Sequence, residues 1–153
     1  MSYLEIRVVI VVYLAVFLPL FIYFINKSRL PNWIPTFYLV GVVACALGWE
    51  IWFTYGWIDG DSVDIRRSGA LNSWLPKNIN WLLNSMGDAG AVLLGGAWLM
   101  WISHKKDSIV FKKWKWSAFS VLMIWCVGQN ILVEMFLYHD QLAAGKPLSW
   151  APL

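Results

Sequence analysis

Three acidic side chains stand inside stretches of the sequence that are otherwise apolar. Glu50 lies in the stretch GWEIWF, Asp88 in GDAGAV and Glu134 in LVEMF. A carboxylate in a membrane interior costs about 2.5–3.5 kcal/mol, so such residues usually face the inside of a helix bundle and take part in function. Because desolvation and like-charge repulsion disfavour several negative charges in one place, we expect at least one of the acids to be protonated at neutral pH. A protonated carboxyl group can act as a general acid.

Amide side chains accompany these acids at helical spacing. Asn84 precedes Asp88 by four residues and Asn130 precedes Glu134 by four, so each pair shares one helix face. At about 1.5 Å of rise per residue, Glu50 and Asp88 lie roughly 6 Å and 4 Å from the midpoints of their apolar stretches, in the same half of a membrane, and Glu134 lies about 10 Å out. A single Asn or Gln within a membrane often only joins two helices by a hydrogen bond. That alternative stays open for Asn80 and Asn84.

Four apolar stretches are long enough to carry these residues across a membrane. The chain of 153 residues is 59% hydrophobic and only 14% charged, a composition typical of a polytopic membrane protein. One helical span needs about 20 apolar residues. We therefore predict an all-α fold with a single transmembrane domain over residues 1–153. The predicted bundle has four transmembrane helices, at about residues 8–25, 36–57, 79–102 and 116–138.

The basic residues indicate how the bundle is oriented. Lys27 and Arg29 follow the first predicted helix, and the loop after the third predicted helix carries Lys105, Lys106, Lys112, Lys113 and Lys115. The positive-inside rule places these two loops in the cytoplasm and both chain termini on the opposite side. Membrane lipids are therefore expected partners, with anionic headgroups available to the lysines. We expect no nucleic-acid partner.

Other kinds of site lack their residues in this sequence. His104 and His139 form no ExxH pair of the kind that a di-iron bundle requires, and no Ser-His-Asp, Cys-His or nucleotide-binding motif is present. We therefore expect neither a metal ion nor another cofactor. The acids and the tryptophans within the predicted spans remain. Together they suit the protonation of an apolar alkene, with the resulting carbocation held against aromatic faces by cation–π attraction.

Three segments, taken in order, have the pattern of a known family. EIWFTY at residues 50–55 is similar to ExWFxxY with the tyrosine one residue early, and it is followed by DAGAVLLGGAWLMW at 88–101 and VGQNILVEMFLY at 127–138. This series resembles the emopamil-binding protein family, the EXPERA-domain sterol Δ8–Δ7 isomerases and their sigma-2-receptor-like relatives. The resemblance implies that Glu50 and Asp88 handle protons and that Gln129 and Glu134 line the pocket.

The chain also departs from that family in two respects. Ala46 stands where the family isomerases have a histidine, one turn before the first acid. The family has a fifth helix, which would begin near Leu153, where this sequence stops. The resemblance therefore implies a divergent relative that acts on, or binds, another polycyclic or isoprenoid lipid. The Trp-Glu pair is also similar to one in membrane-bound terpene cyclases.

We predict an intramembrane isomerase or cyclase for a sterol-like or isoprenoid lipid, with Glu50 and Asp88 as catalytic acid and base. The expected ligand-binding residues are Trp49, Trp52, Asn84, Trp125, Gln129, Asn130 and Glu134. Two alternatives use the same residues differently. In one, the protein binds a lipid or amphiphile without catalysis. In the other, it is a small subunit of a larger homo- or hetero-oligomeric membrane complex, and the acids hold the assembly together.

Overall fold

The structure is a computed structural model that describes residues 1–56, 60–133 and 135, and every regular element among them is helical. The helices are α1 (Tyr3–Asn26), α2 (Ile34–Leu47), α3 (Trp49–Tyr55), α4 (Val63–Arg66), α5 (Gly69–Trp74), α6 (Lys77–Ala89), α7 (Gly96–Ser103) and α8 (Trp116–Leu132). A π-helical segment, Gly90–Gly95, joins α6 to α7, and short 3-10 turns follow α1 and α7 at Lys27–Arg29 and Ser108–Phe111. The predicted all-α class is confirmed.

Two helical segments are long and apolar enough to cross a membrane, Tyr3–Arg29 and Lys77–Ser103, each of 27 residues. The pair α2 and α3 makes a third candidate if it is counted as one bent span. The fourth predicted span, 116–138, is described as a regular α-helix only over the 17 residues of α8. Its residues 134 and 136–138 lie outside the described part. The described chain therefore carries two or three candidate spans by length and composition.

The second predicted helix, 36–57, is two helices that meet at Gly48. The backbone of Gly48 has φ −83° and ψ −114°, which is neither helical nor extended, and the axes of α2 and α3 differ by 44°. A Cβ atom at this position would lie 2.7 Å from the carbonyl oxygen of Ala44, so the break suits glycine. The bend sets the direction in which α3 presents its side chains to α6.

Helix α6 is the centre of the bundle, because α1, α2 and α3 all pack against it. One buried cluster joins α1 to α5 and α6 and consists of Val8, Val12, Val16, Leu71, Leu75 and Leu83. A second cluster lies nearer the Lys-rich loops and includes Ile34, Tyr38, Leu94 and Trp101. Small residues let α1 approach the π-helical segment closely, since a Cβ at Gly90 would lie 3.3 Å from the carbonyl oxygen of Ala15. Helix α8 packs mainly on α7.

Polar contacts hold the short helices α4 and α5 across one end of the bundle, which we call the α4–α5 end. The carboxylate of Glu5 on α1 accepts hydrogen bonds from the hydroxyl of Ser68 and from the backbone of Ser2. Arg66 donates to the backbone carbonyl of Phe53 at the end of α3. Lys77 and Asp64 form an ion pair at 3.1 Å. This segment therefore covers the ends of α1, α3 and α6.

Replacing Gly56 with alanine is expected to destabilise the protein by about 1–3 kcal/mol. Gly56 ends α3 in the left-handed conformation, with φ +65°, and a Cβ atom there would collide with the backbone of Gly60. Thermal unfolding in detergent would measure the loss. Gly69→Ala is the matched control, because no atom lies within 4 Å of the added Cβ. Equal stability losses in the two variants would contradict the prediction.

Candidate functional site

A cavity of about 300 Å³ lies between α1, α3, α6, the π-helical segment and α8. Its polar lining consists of Trp49, Glu50, Asn84, Asp88, Gln129 and Asn130. Its apolar lining includes Val12 and Ala15 from α1, Phe53 from α3 and Val92 from the π-helical segment. Two carboxyl groups from different helices thus share one largely apolar space.

Glu50 is the more deeply buried of the two acids, with 5% of its surface exposed. It lies on the first turn of α3, directly after the break at Gly48, and its carboxyl group is next to the side chains of Asn84 and Thr54. The charges of Asp88 and Arg67 also act on it. The Oε2 atom makes no hydrogen bond to any residue in the described part of the chain. Glu50 therefore has one buried oxygen atom that the described residues do not satisfy.

Asp88 is half-buried on α6 and is bonded across to α3. The indole Nε1 of Trp49 donates a hydrogen bond to Oδ2 of Asp88, at 2.8 Å. Since an indole N–H can only donate, this contact uses Oδ2 of Asp88 as an acceptor and joins α3 to α6. Trp49 and Glu50 are adjacent on the first turn of α3 but have different roles. Glu50 lines the cavity, and Trp49 binds Asp88 of α6.

The two amides of α8 close the cavity on a third side. Asn130 donates from Nδ2 to the backbone carbonyl of Cys126 at 2.8 Å, and Gln129 donates to the same carbonyl at 3.5 Å. Both amide groups thus make contacts within their own helix and leave oxygen atoms that can accept a hydrogen bond. With Val133 they are the part of the cavity lining that α8 provides.

Three residues expected at the site have a different position or lie outside the described part. Trp125 packs against Gly95 and donates from its indole to the carbonyl oxygen of Ala91 at 2.7 Å, so it joins α8 to the π-helical segment. Trp52 packs on Phe53, with ring centroids 4.8 Å apart, and is not among the described residues that line the cavity. Glu134 lies outside the described residues.

Sequence reasoning missed the contribution of α1 and of the α4–α5 end. Val11, Val12 and Ala15 form one wall of the cavity, but a uniformly apolar helix carries no signal that marks which face it turns to a ligand. Arg67 also acts on Glu50, although it lies 17 positions further along the chain. Thr54 had a signal that could have been used, because it follows Glu50 by four residues and so shares its helix face.

Replacing Trp49 with phenylalanine is expected to lower the free energy of unfolding by about 1 kcal/mol. The variant keeps an aromatic ring but removes the hydrogen bond that joins α3 to Asp88. Thermal unfolding in detergent would measure the change. Trp116→Phe is the control, since Trp116 is an exposed aromatic residue at the start of α8. A Trp49→Phe variant as stable as this control would contradict a structural role for the bond.

The chemistry of the cavity follows from the groups that line it. Within residues 1–56, 60–133 and 135, no group of three His, Cys, Asp or Glu side chains is placed to hold a metal ion. The polar groups of the cavity are carboxyls, amides and an indole, which suit proton transfer and hydrogen bonding to an organic ligand. No protein-family model, curated protein or solved structure matches this chain.

Proposed function

We propose that this chain is an intramembrane enzyme that moves a double bond, or closes a ring, in a sterol-like or isoprenoid lipid. The observation that carries the proposal is the pair Glu50 and Asp88, which come from different helices and line one largely apolar cavity. A cavity of about 300 Å³ is at the lower end of the range for ligand pockets, so it would hold an isoprenoid segment or one end of a polycyclic lipid. We also propose that the chain is a divergent relative of the EXPERA-domain family, on the motifs around these residues.

The two acids would have different roles because their surroundings differ. Glu50 is buried, and loss of contact with water disfavours its charged form, so it is the proton donor. Asp88 accepts a hydrogen bond from Trp49 and is partly exposed, so it is the base. Glu50 gives its proton to one alkene carbon, and Asp88 removes a proton from a carbon next to the resulting cation. The double bond shifts, Glu50 becomes a carboxylate and Asp88 becomes neutral. The cycle closes when half-buried Asp88 releases its proton to water and Glu50 takes one up, so no net proton is consumed.

The cation formed between these steps needs stabilisation in an apolar space. The negative charge of Asp88 is one source, since electrostatic interactions are stronger where water is excluded. The aromatic faces of Trp49 and Phe53 are a second source, because both residues line the cavity and ring faces attract cations. The side chains that the reaction requires are thus available on α3 and α6.

Isotope incorporation tests the proposal on many candidate substrates at once. Purified protein in lipid nanodiscs would be incubated in deuterated water with a panel of sterol-like and isoprenoid alkenes, and the lipids analysed by mass spectrometry. We expect one substrate class to gain deuterium at carbon, with a shifted double bond or a new ring. No deuterium at carbon and no altered product with any lipid of the panel would count against catalysis.

Binding without catalysis is the second candidate, because two neighbouring carboxyl groups would also attract a cationic amphiphile. The closeness of Asp88 to Glu50 favours this alternative, since a bound cation would relieve repulsion between two negative charges. Labelled cationic amphiphiles should then bind without any lipid being converted, and Glu50→Gln should remove the binding. Binding that survives both Glu50→Gln and Asp88→Asn would show that the ligand lies elsewhere.

A further inference from the structure

A buried polar cluster lies between the cavity and the α4–α5 end. Its members are Thr54 on α3, Asn80 on α6 and Arg67 between α4 and α5, with exposed fractions of 1%, 1% and 7%. Few polar side chains are this deeply buried in the described part of the chain. A feature that costs desolvation in this way is expected to have a function.

Helical spacing places the cluster next to Glu50. Thr54 follows Glu50 by one turn of α3, and Asn80 precedes Asn84 by one turn of α6. Since Glu50 and Asn84 are neighbours across the two helices, Thr54 and Asn80 form the next layer toward the α4–α5 end. Arg67 then joins this layer, because its Nη1 donates to Oδ1 of Asn80 at 2.9 Å.

The cluster and the neighbouring Glu50 have buried polar atoms that lack hydrogen bonds in the described part of the chain. They are Oγ1 of Thr54, Nδ2 of Asn80 and Oε2 of the neighbouring Glu50, all buried. Apart from the contact between the Thr54 hydroxyl and the Glu50 carboxyl group, none of these atoms has a hydrogen-bond partner among the described residues. Leaving a buried polar group unpaired costs about 1–3 kcal/mol. Internal water molecules typically satisfy two to four such groups at once. One donor, one hydroxyl and one carboxyl oxygen form a suitable set of contacts for water.

We propose that water held by Thr54 and Asn80 forms a proton route from the α4–α5 end to Glu50. The inference rests on the proposed function, in which Glu50 loses its proton to the lipid in each turnover. The Thr54 hydroxyl accepts a hydrogen bond from water on one side and donates one to Glu50 on the other. When its own proton passes to the Glu50 carboxylate, it receives another from that water, so the hydroxyl is unchanged and one proton enters from bulk water.

The charged groups around Glu50 are consistent with this direction. Arg67 lies on the proposed route, and its positive charge stabilises the Glu50 carboxylate that exists before the proton arrives. Asp88 on α6 and the thiol of Cys45 on α2 are the other titratable groups that act on Glu50 or are acted on by it. Arg67 belongs to the α4–α5 end itself, where the next residue, Ser68, is exposed.

Exchange of the Glu50 proton can be measured by infrared spectroscopy without substrate. Protein in nanodiscs would be mixed rapidly into deuterated water, and the carboxyl C=O band of Glu50 isolated by subtracting the spectrum of Glu50→Gln. We expect Thr54→Val, which keeps the side-chain shape but removes the hydroxyl, to slow the shift of this band at least about 10-fold, the equivalent of one lost hydrogen bond. Thr54→Ser keeps the hydroxyl and should exchange as the native protein does.

Controls separate the route from general effects on packing. Ser85→Ala removes another fully buried hydroxyl, one that already donates to the carbonyl oxygen of Trp81, and should leave the exchange rate unchanged. Thr54→Ala, which also lacks a side-chain proton to transfer, replaces Thr54→Val if the latter does not fold. Equal exchange in the native protein and the Thr54 variant would overturn the route, as would the lack of a Glu50 carboxyl band at neutral pH. Equal exchange would leave the proposed function open, because lipid deuteration is measured separately, whereas the lack of the carboxyl band would also overturn the role of Glu50 as proton donor.

Discussion

The Glu50→Gln variant is expected to incorporate deuterium into lipid at least about 100-fold more slowly than the native protein, because general acids contribute factors of 10² to 10⁴. Glutamine has nearly the same shape and can occupy the same place beside Asn84, but its amide cannot deliver a proton to an alkene. Initial rates from mass spectrometry, at one fixed lipid concentration in nanodiscs, would measure the effect. Circular dichroism would show that the helices persist.

Asp107→Asn is the matched control for this result. Asp107 lies in the Lys-rich loop, where its carboxylate accepts a hydrogen bond from the backbone N–H of Ile109 at 2.9 Å, and asparagine can accept the same bond. This variant loses an acid without changing the cavity, so its rate should equal that of the native protein. A Glu50→Gln variant that keeps the native rate would assign the proton donor to another residue and contradict the proposed roles of the two acids.

Gly48→Ala is expected to have the second large effect, although residue 48 is not among those that line the cavity. A methyl group there would meet the carbonyl oxygen of Ala44 at 2.7 Å, so the backbone must leave its present conformation. Continuing α2 as a regular helix would then rotate α3 and displace Glu50 and Trp49 relative to Asp88. A displacement of about 1 Å can lower an enzymatic rate 100-fold, so we expect a loss of that order.

Two measurements would distinguish this effect from unfolding. The helical content of Gly48→Ala should stay at the native level, while the fluorescence of Trp49 should change because its indole leaves Asp88. Subtracting the spectrum of Trp49→Phe isolates that signal. Gly128→Ala is the control, since this glycine of α8 has no atom within 4 Å of an added Cβ. Native activity in Gly48→Ala would show that the break is not required to position the acids.

The positions of the long helices could be predicted because they follow from composition alone. An apolar stretch of about 20 residues must satisfy its own backbone hydrogen bonds in a membrane, and a helix does so within the segment. The predicted stretches at 8–25 and 79–102 accordingly lie within helical segments of 27 residues. The short helices α4 and α5 were not predicted, because they depend on contacts such as those of Ser68 with Glu5 and of Lys77 with Asp64.

The proximity of Asn84 to Asp88 could also be predicted, since four residues along a helix bring side chains to one face. The position of the tryptophans could not. Trp49 and Trp125 are both tryptophans within apolar stretches, so the sequence does not distinguish them. In the structure, Trp49 binds Asp88 at the cavity and Trp125 binds the carbonyl oxygen of Ala91. Which of them meets a ligand depends on where α3 and α8 lie relative to α6.

That the chain forms apolar helices with acidic residues inside them follows from the sequence, because hydrophobicity and helical periodicity are local properties. That Glu50 and Asp88 line the same cavity, with Thr54, Asn80 and Arg67 as a polar layer beside it, follows from how the helices pack. Local energies do not determine this packing, since a helix can be rotated about its axis, or bent at a residue such as Gly48, at little cost. Packing between helices, with the small residues of α6 against α1, removes that freedom.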